Sequence, residues 1–100
     1  MAVIAELVIE GVNPQQYDDV RAKIGWLATP PQGGIGHLTW WDGDTCHNVD
    51  AWESEDALNQ FADTHLGPAM AAVGVTSAPR VTLHAAYEIF VPEAVKITVT

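Results

Sequence analysis

The middle of the chain limits its possible folds more than any other part. IGHLTWW (35–41) and TCHNVDAWE (45–53) are two runs rich in β-branched and aromatic residues, joined by the turn sequence Asp42-Gly43-Asp44. That is the signature of an antiparallel hairpin, and a hairpin alone is barely stable in water. It needs partners from either side. Before it, VIAELVIE (3–10) reads as a strand, and Asn13-Pro14 as the N-cap and first turn of a helix. Tyr17, Val20, Ile24 and Leu27 follow at helical spacing. After it, Ser54 caps a second helix, with Glu55 and Asp56 favourably placed in its first turn. Gly67-Pro68 is expected to bend or restart that helix, and Gly74 to end it. RVTLHAAYEIF (80–90) reads as a fourth strand, stopped by Pro92, and AVKITVT (94–100) alternates like a short fifth strand or arm. The order is β-α-β-β-α-β plus a tail. This predicts an α+β, ferredoxin-like domain over residues 1–91, with 92–100 as a C-terminal extension. A sheet with helices on one face leaves the other face to be covered, and a second copy of the chain is the expected cover.

Charge narrows the partners. The formal net charge is −9, and only Arg21, Lys23, Arg80 and Lys96 are basic. Nucleic acid and anionic membranes are excluded as partners on this balance. A strongly anionic ligand is disfavoured too, unless one of those four residues is recruited locally. The single cysteine, Cys46, cannot form an intrachain disulfide. With no basic leader and no apolar run near the ~18 residues of a membrane span, a cytoplasmic protein is the expectation.

Strand alternation proposes which side chains share a surface. On the third strand, Val49 and Ala51 suit the helix-covered face, which directs Cys46, Asn48, Asp50 and Trp52 into the space between two facing sheets. On the fourth, Val81, Leu83 and Ala85 look helix-facing, and His84 and Glu88 point the other way. Glu6 joins Ile4 and Val8 on that same side of the first strand. The second strand depends on the turn. A two-residue Asp42-Gly43 turn pairs His37 with Asn48, and a four-residue loop pairs His37 with Asp50. Both place Ile35, His37, Thr39 and Trp41 with the polar set, whereas a three-residue turn would flip them. The two-residue turn is favoured.

The candidate catalytic residues are therefore His37, Asn48, Asp50 and His84, with Glu6, Trp41, Trp52 and Glu88 as substrate-binding neighbours. A histidine beside a carboxylate accepts or relays a proton near neutral pH. Asparagine donates to a developing oxyanion. Tryptophan supplies a flat apolar wall. No tight metal-ligand spacing occurs, and convergence of His37, Asp50 and His84 is the one metal arrangement worth testing. Gly33, Gly34 and Gly36 lead into a strand rather than a helix, against a phosphate loop.

DAWESEDALNQF (50–61) adds a resemblance. A strand ending in Trp52-x-Ser54, followed at once by an acidic helix start and Phe61, resembles the dimeric α/β-barrel superfamily, and within it the antibiotic-biosynthesis-monooxygenase-type domains. Element order extends the likeness over residues 1–91; GxxxH (33–37), VDAWES and the HLGPAM region carry it at motif level. The resemblance implies a homodimer. Haem-degrading members would carry an asparagine, a tryptophan and a histidine where this chain has Leu7, Phe61 and Ala71, so haem degradation is not expected. Quinone-forming members that use no cofactor carry an asparagine and a tryptophan four residues apart on the third strand, as Asn48 and Trp52 are. The implied activity is monooxygenation of a small phenolic or polyketide-like molecule without a cofactor. The alternatives are a proton-transfer isomerase or cyclase, and a homodimer that binds ligand or serves a structural role without catalysis.

Overall fold

A computed structural model describes residues 1–92. Strands β1 (Val3–Glu10), β2 (Gly34–Asp42), β3 (Thr45–Trp52) and β4 (Arg80–Ala85) form one antiparallel sheet in the order β2-β3-β1-β4. Helix α1 (Pro14–Ile24) joins β1 to β2; α2 (Glu55–Phe61), a π-turn (Ala62–Leu66) and α3 (Gly67–Val73) join β3 to β4. The architecture is the expected ferredoxin-like one. The expected strand or arm at 94–100 lies outside the described residues.

Local chemistry accounts for the helix ends. Asn13 Oδ1 accepts from the Gln16 amide at 2.8 Å, and Gln16 Oε1 accepts from the Asn13 amide at 3.1 Å, a reciprocal cap. Gly25, at φ +71°, stops α1 in the left-handed region, so Leu27 falls beyond the helix rather than on it. Ser54 Oγ accepts from the Ala57 amide at 3.0 Å and starts α2. The second helix restarts at Gly67-Pro68 as expected: α3 begins there, with Pro68 in its first turn, where a missing amide donor is tolerated. The wider π-turn just before it makes the join: the Gly67 amide bonds back to Ala62, five residues away.

The β2–β3 turn differs from the favoured form. Asp42 pairs with Thr45, so Gly43 and Asp44 are the central residues. Gly43 has φ +60° and Asp44 does not have positive φ, the pattern of a type II′ hairpin turn. His37 therefore lies opposite Asp50, and Trp41 opposite Cys46. Near its start, β2 carries a bulge between Gly34 and Gly36.

Antiparallel partners share a face, and β1 decides which face is buried. Val3, Ala5, Leu7 and Ile9 lie under the helices, and opposite them stand Trp52, Asp50, Asn48 and Cys46. Those four β3 residues are accordingly on the helix-covered side, not between two sheets as expected. The apolar look of Val49 and Ala51 misleads, because Trp52 and Cys46 bury far more on the other side. Cys46 packs with Ile9, Val20 and Met70; Trp52 packs with Leu58 and Phe61, its ring 5.1 Å from the phenyl of Phe61. The assignment holds for β1 and β4: Glu6 and His84 do lie on the open face, 3.3 Å apart. Exposed Leu38 and Trp40 share that face, and Trp40 stacks on His47 at 5.0 Å.

The loop entering β2 is held tightly to α2. Gly33 has φ +83°, and a Cβ there would come within 2.6 Å of the Ala57 methyl. Its carbonyl accepts from the Glu53 amide at 2.8 Å. Gly33→Ala is expected to destabilise the fold by about 1–3 kcal/mol, combining a strained φ with a steric clash, as read by urea unfolding. Gly25→Ala, with nothing within 4 Å of the new methyl, isolates the φ contribution alone.

Candidate active site

A cavity of about 790 Å³ lies between the helix-covered face of the sheet, α1 and the loop that follows it. Asn48, Asp50 and Trp52 project into it from β3, His37, Thr39 and Trp41 from β2, and Tyr17 from α1. The period-2 alternation of β3 forces Asn48 and Asp50 onto the same face as Trp52. Being buried, they require partners. The hairpin register supplies them.

Asp50 Oδ1 lies 2.6 Å from His37 Nδ1, and Asp50 Oδ2 accepts a long 3.5 Å contact from the Trp52 indole. On its other side, His37 Nε2 stands 2.7 Å from the Tyr17 hydroxyl and 2.8 Å from Thr39 Oγ1. Tyr17 and Thr39 are 2.9 Å apart, and Thr39 donates to Asn48 Oδ1 at 2.8 Å. The Cys46 thiol donates to the same Asn48 oxygen at 3.8 Å. Among the described residues, both hydrogen bonds of Asn48 fall on Oδ1, which leaves its two amide N–H donors unspent. Aromatic rings brace the cluster: Trp26 lies 4.9 Å from the His37 ring, and Tyr17 meets Trp41 edge-on at 6.1 Å.

This network suits proton transfer. With Nδ1–H given to Asp50, a neutral His37 offers Nε2 as an acceptor. Only two hydroxyl protons, from Tyr17 and Thr39, are then available for the short contacts among Tyr17, His37, Thr39 and Asn48. A proton gained at Nε2 is shared by the Tyr17 and Thr39 oxygens; Tyr17 then donates to Thr39, and Thr39 to Asn48. Every contact is filled after His37 takes up a proton, and Asp50 balances the new charge. The same dyad logic serves general bases in many enzymes.

Burial shapes two more groups. Desolvation raises the Tyr17 hydroxyl above its ordinary range, so it stays a donor near neutral pH. Desolvation likewise pushes the Cys46 thiol from 9.0 up to about 11. The folded-state value is the higher one, so Cys46 favours folding below pH 9 and loses that contribution as pH rises through 11. Stability is expected to fall across that window in alkaline unfolding titrations, and Cys46→Ala should flatten the fall. Iodoacetamide at pH 8 should label Cys46 only in unfolded protein.

The expected residues separate into two groups. His37, Asn48, Asp50, Trp41 and Trp52 meet at the cavity. Glu6 and His84 sit on the opposite face of the sheet and cannot join them, because the sheet intervenes. Convergence of His37, Asp50 and His84 on a metal is ruled out for the same reason, and no metal-holding cluster of three or more His, Cys, Asp or Glu occurs among the described residues. Glu88 lies past the end of β4 and is exposed. Sequence reasoning missed Tyr17, Thr39 and Trp26. Thr39 was within reach, two residues from His37 on one strand face. Tyr17 reads from sequence as an ordinary apolar-face helix residue, and only packing brings its hydroxyl to His37. Among the described residues, no helix is long and apolar enough to cross a membrane.

No family model matches the chain, and no curated protein matches it in sequence. Solved structures do. SnoaB, a cofactor-independent oxygenase from Streptomyces nogalater, superposes with a TM-score of 0.61 at 18% identity, over 92% of this chain and 97% of that one. NE2512, a protein of unknown function from Nitrosomonas europaea, gives 0.67 at 20% identity, over 94% and 98%. A protein from Caulobacter crescentus CB15, named for the antibiotic biosynthesis monooxygenases, gives 0.64 at 16% identity, over 87% and 91%. At these identities the likeness establishes the fold, and the chain has the fold that its Trp-x-Ser element and element order resemble.

Proposed function

We propose that the chain is a homodimeric monooxygenase that needs no cofactor and acts on a flat phenolic or polyketide-like molecule bound in its cavity. One observation carries the reading: a buried Asp50 carboxylate paired with a part-exposed His37, linked through Tyr17 and Thr39 to Asn48, on the wall of a cavity rich in aromatic side chains. The fold shared with a cofactor-independent oxygenase agrees with it. His37 takes the phenolic proton, and the resulting electron-rich phenolate reacts with O₂. An Asn48 N–H donates to the phenolate oxygen, and Trp41 and Trp52 hold the ring plane. For a simple phenol the balance is phenol plus O₂ giving a quinone plus water. One oxygen atom enters the ring, the other leaves as water, and the substrate supplies all four electrons. Oxygen uptake and quinone absorbance with a panel of hydroxynaphthalenes test the reading.

The groups of the network move protons, and that favours a second reading, a proton-transfer isomerase or cyclase of the same class of molecule. Turnover that persists without air would select it; turnover that needs one O₂ per quinone selects the oxygenase. Tight binding with no turnover in either condition would leave a ligand-binding homodimer.

The dimer is proposed to form through the open sheet face. Leu38 is 67% exposed and Trp40 49%, on a face where Glu6 and His84 already satisfy each other. A second copy laid on this face would bury both. Trp40→Asp and Leu38→Asp are each expected to shift the chain from dimer to monomer in sedimentation velocity. Because the cavity is built within one subunit, the monomer should retain ligand binding.

A further inference from the structure

We propose that Arg21 is an anion anchor in this cavity, and that the ligand is an acidic phenolic: an aromatic bearing an ionised carboxylate besides its hydroxyl. This rests on the reading of the cavity as a phenol-binding site, and it specifies which phenols enter. The chain has four Lys and Arg residues against thirteen Asp and Glu. Among the described residues, Arg21 is the one Lys or Arg that lines the cavity.

Its setting is unusual for a surface arginine. Arg21 follows Tyr17 by one helical turn, so both project from the same side of α1. Its guanidinium carbon lies 5.8 Å from the centre of the Tyr17 ring. The side chain is only 25% exposed, yet its one hydrogen bond among the described residues is a 3.2 Å contact to Asp18, itself 53% exposed. A guanidinium carries five N–H donors in a rigid fork. One is used, and the others reach solvent at the cavity, since no buried side-chain nitrogen or oxygen lacks a partner among the described residues. A ligand carboxylate would fill them in a bidentate, charge-assisted pair. Tyr17 sets the spacing. Its ring lies beneath the guanidinium and its hydroxyl touches His37, so an acid group on Arg21 leaves the aromatic body to run along Tyr17 toward the His37–Asn48 network. The other charged groups at the cavity are Asp50, already matched by His37, and Asp18, which opposes an incoming anion.

Three probes test this by calorimetry: 6-hydroxy-2-naphthoic acid, its methyl ester, and 2-naphthol. The acid is expected to bind the native protein about tenfold more tightly than the ester. Arg21→Gln should erase that difference and leave 2-naphthol within about twofold of its native affinity. Asp18→Asn should tighten the acid about threefold and leave the ester unchanged. Equal binding of acid and ester to the native protein overturns the inference, as does a preference that survives Arg21→Gln. If Arg21→Gln does not fold, Asp18→Asn decides, and an acid affinity that is unchanged or weaker there overturns it. Binding of 2-naphthol with no preference for the acid defeats the anchor and leaves the phenol site standing. Failure of all three probes to bind defeats both.

Discussion

With His37 replaced by alanine, turnover of a phenolic substrate is expected to fall by about 10²–10⁴-fold, with KM changed far less. The argument is positional. His37 is the one group in the network that can accept a proton and remain fully hydrogen-bonded, through Asp50 on one nitrogen and Tyr17 and Thr39 on the other. Asp50→Asn should approach the same loss, because an amide cannot balance the imidazolium charge. Tyr17→Phe removes one contact to Nε2 and keeps the ring, so its effect should be smaller. Steady-state kinetics on folded variants, checked by circular dichroism, measure all three. Turnover by His37→Ala within tenfold of native would sink the general-base role, and with it the assignment of the cavity wall as a proton-transfer site.

Trp52→Ala is expected to cost about 3–5 kcal/mol of stability, the range for deleting a large buried aromatic. Trp52 is 3% exposed and is shared between the sheet and α2 through Leu58 and Phe61. Small domains have about 5–15 kcal/mol in total, so the variant should sit near the edge of folding at 25 °C. Trp52→Phe keeps much of the packing and gives up the indole contact to Asp50, so it should lose less. Chemical denaturation with a far-ultraviolet probe resolves both. A loss under about 1 kcal/mol for the alanine variant would mean that this side of the core is loosely packed and that Trp52 serves the ligand alone.

The two predictions draw on different parts of what the sequence holds. Asn13, Pro14, Ser54 and Gly74 mark helix ends by side-chain chemistry that acts over a few residues, so those ends are legible without a structure. The same locality misled at Leu27, where the apolar spacing continues past a glycine that ends the helix. Gly67-Pro68 was legible as the point where the second helix restarts, because a proline fits the first turn of a helix and not its interior. The hairpin register was legible only as three alternatives, one for each turn length. DGD permits more than one turn, and pairing of His37 with Asp50 satisfies a buried carboxylate that pairing with Asn48 would leave without its histidine.

The sequence by itself determined which side chains travel together. Period-2 alternation puts Asn48, Asp50 and Trp52 on one side of β3, and His37, Thr39 and Trp41 on one side of β2, whatever the rest of the chain does. It could not determine which side that is. Absolute facing belongs to the sheet as a whole, and here the uniformly apolar face of β1 carries its neighbours under the helices. That choice separates Glu6 and His84 from the other candidates, builds the cavity within a single chain, and delivers Tyr17, Trp26 and Arg21 from α1 and its following loop. A helix residue is related to a strand residue only through packing across tens of positions, and no local pattern records it.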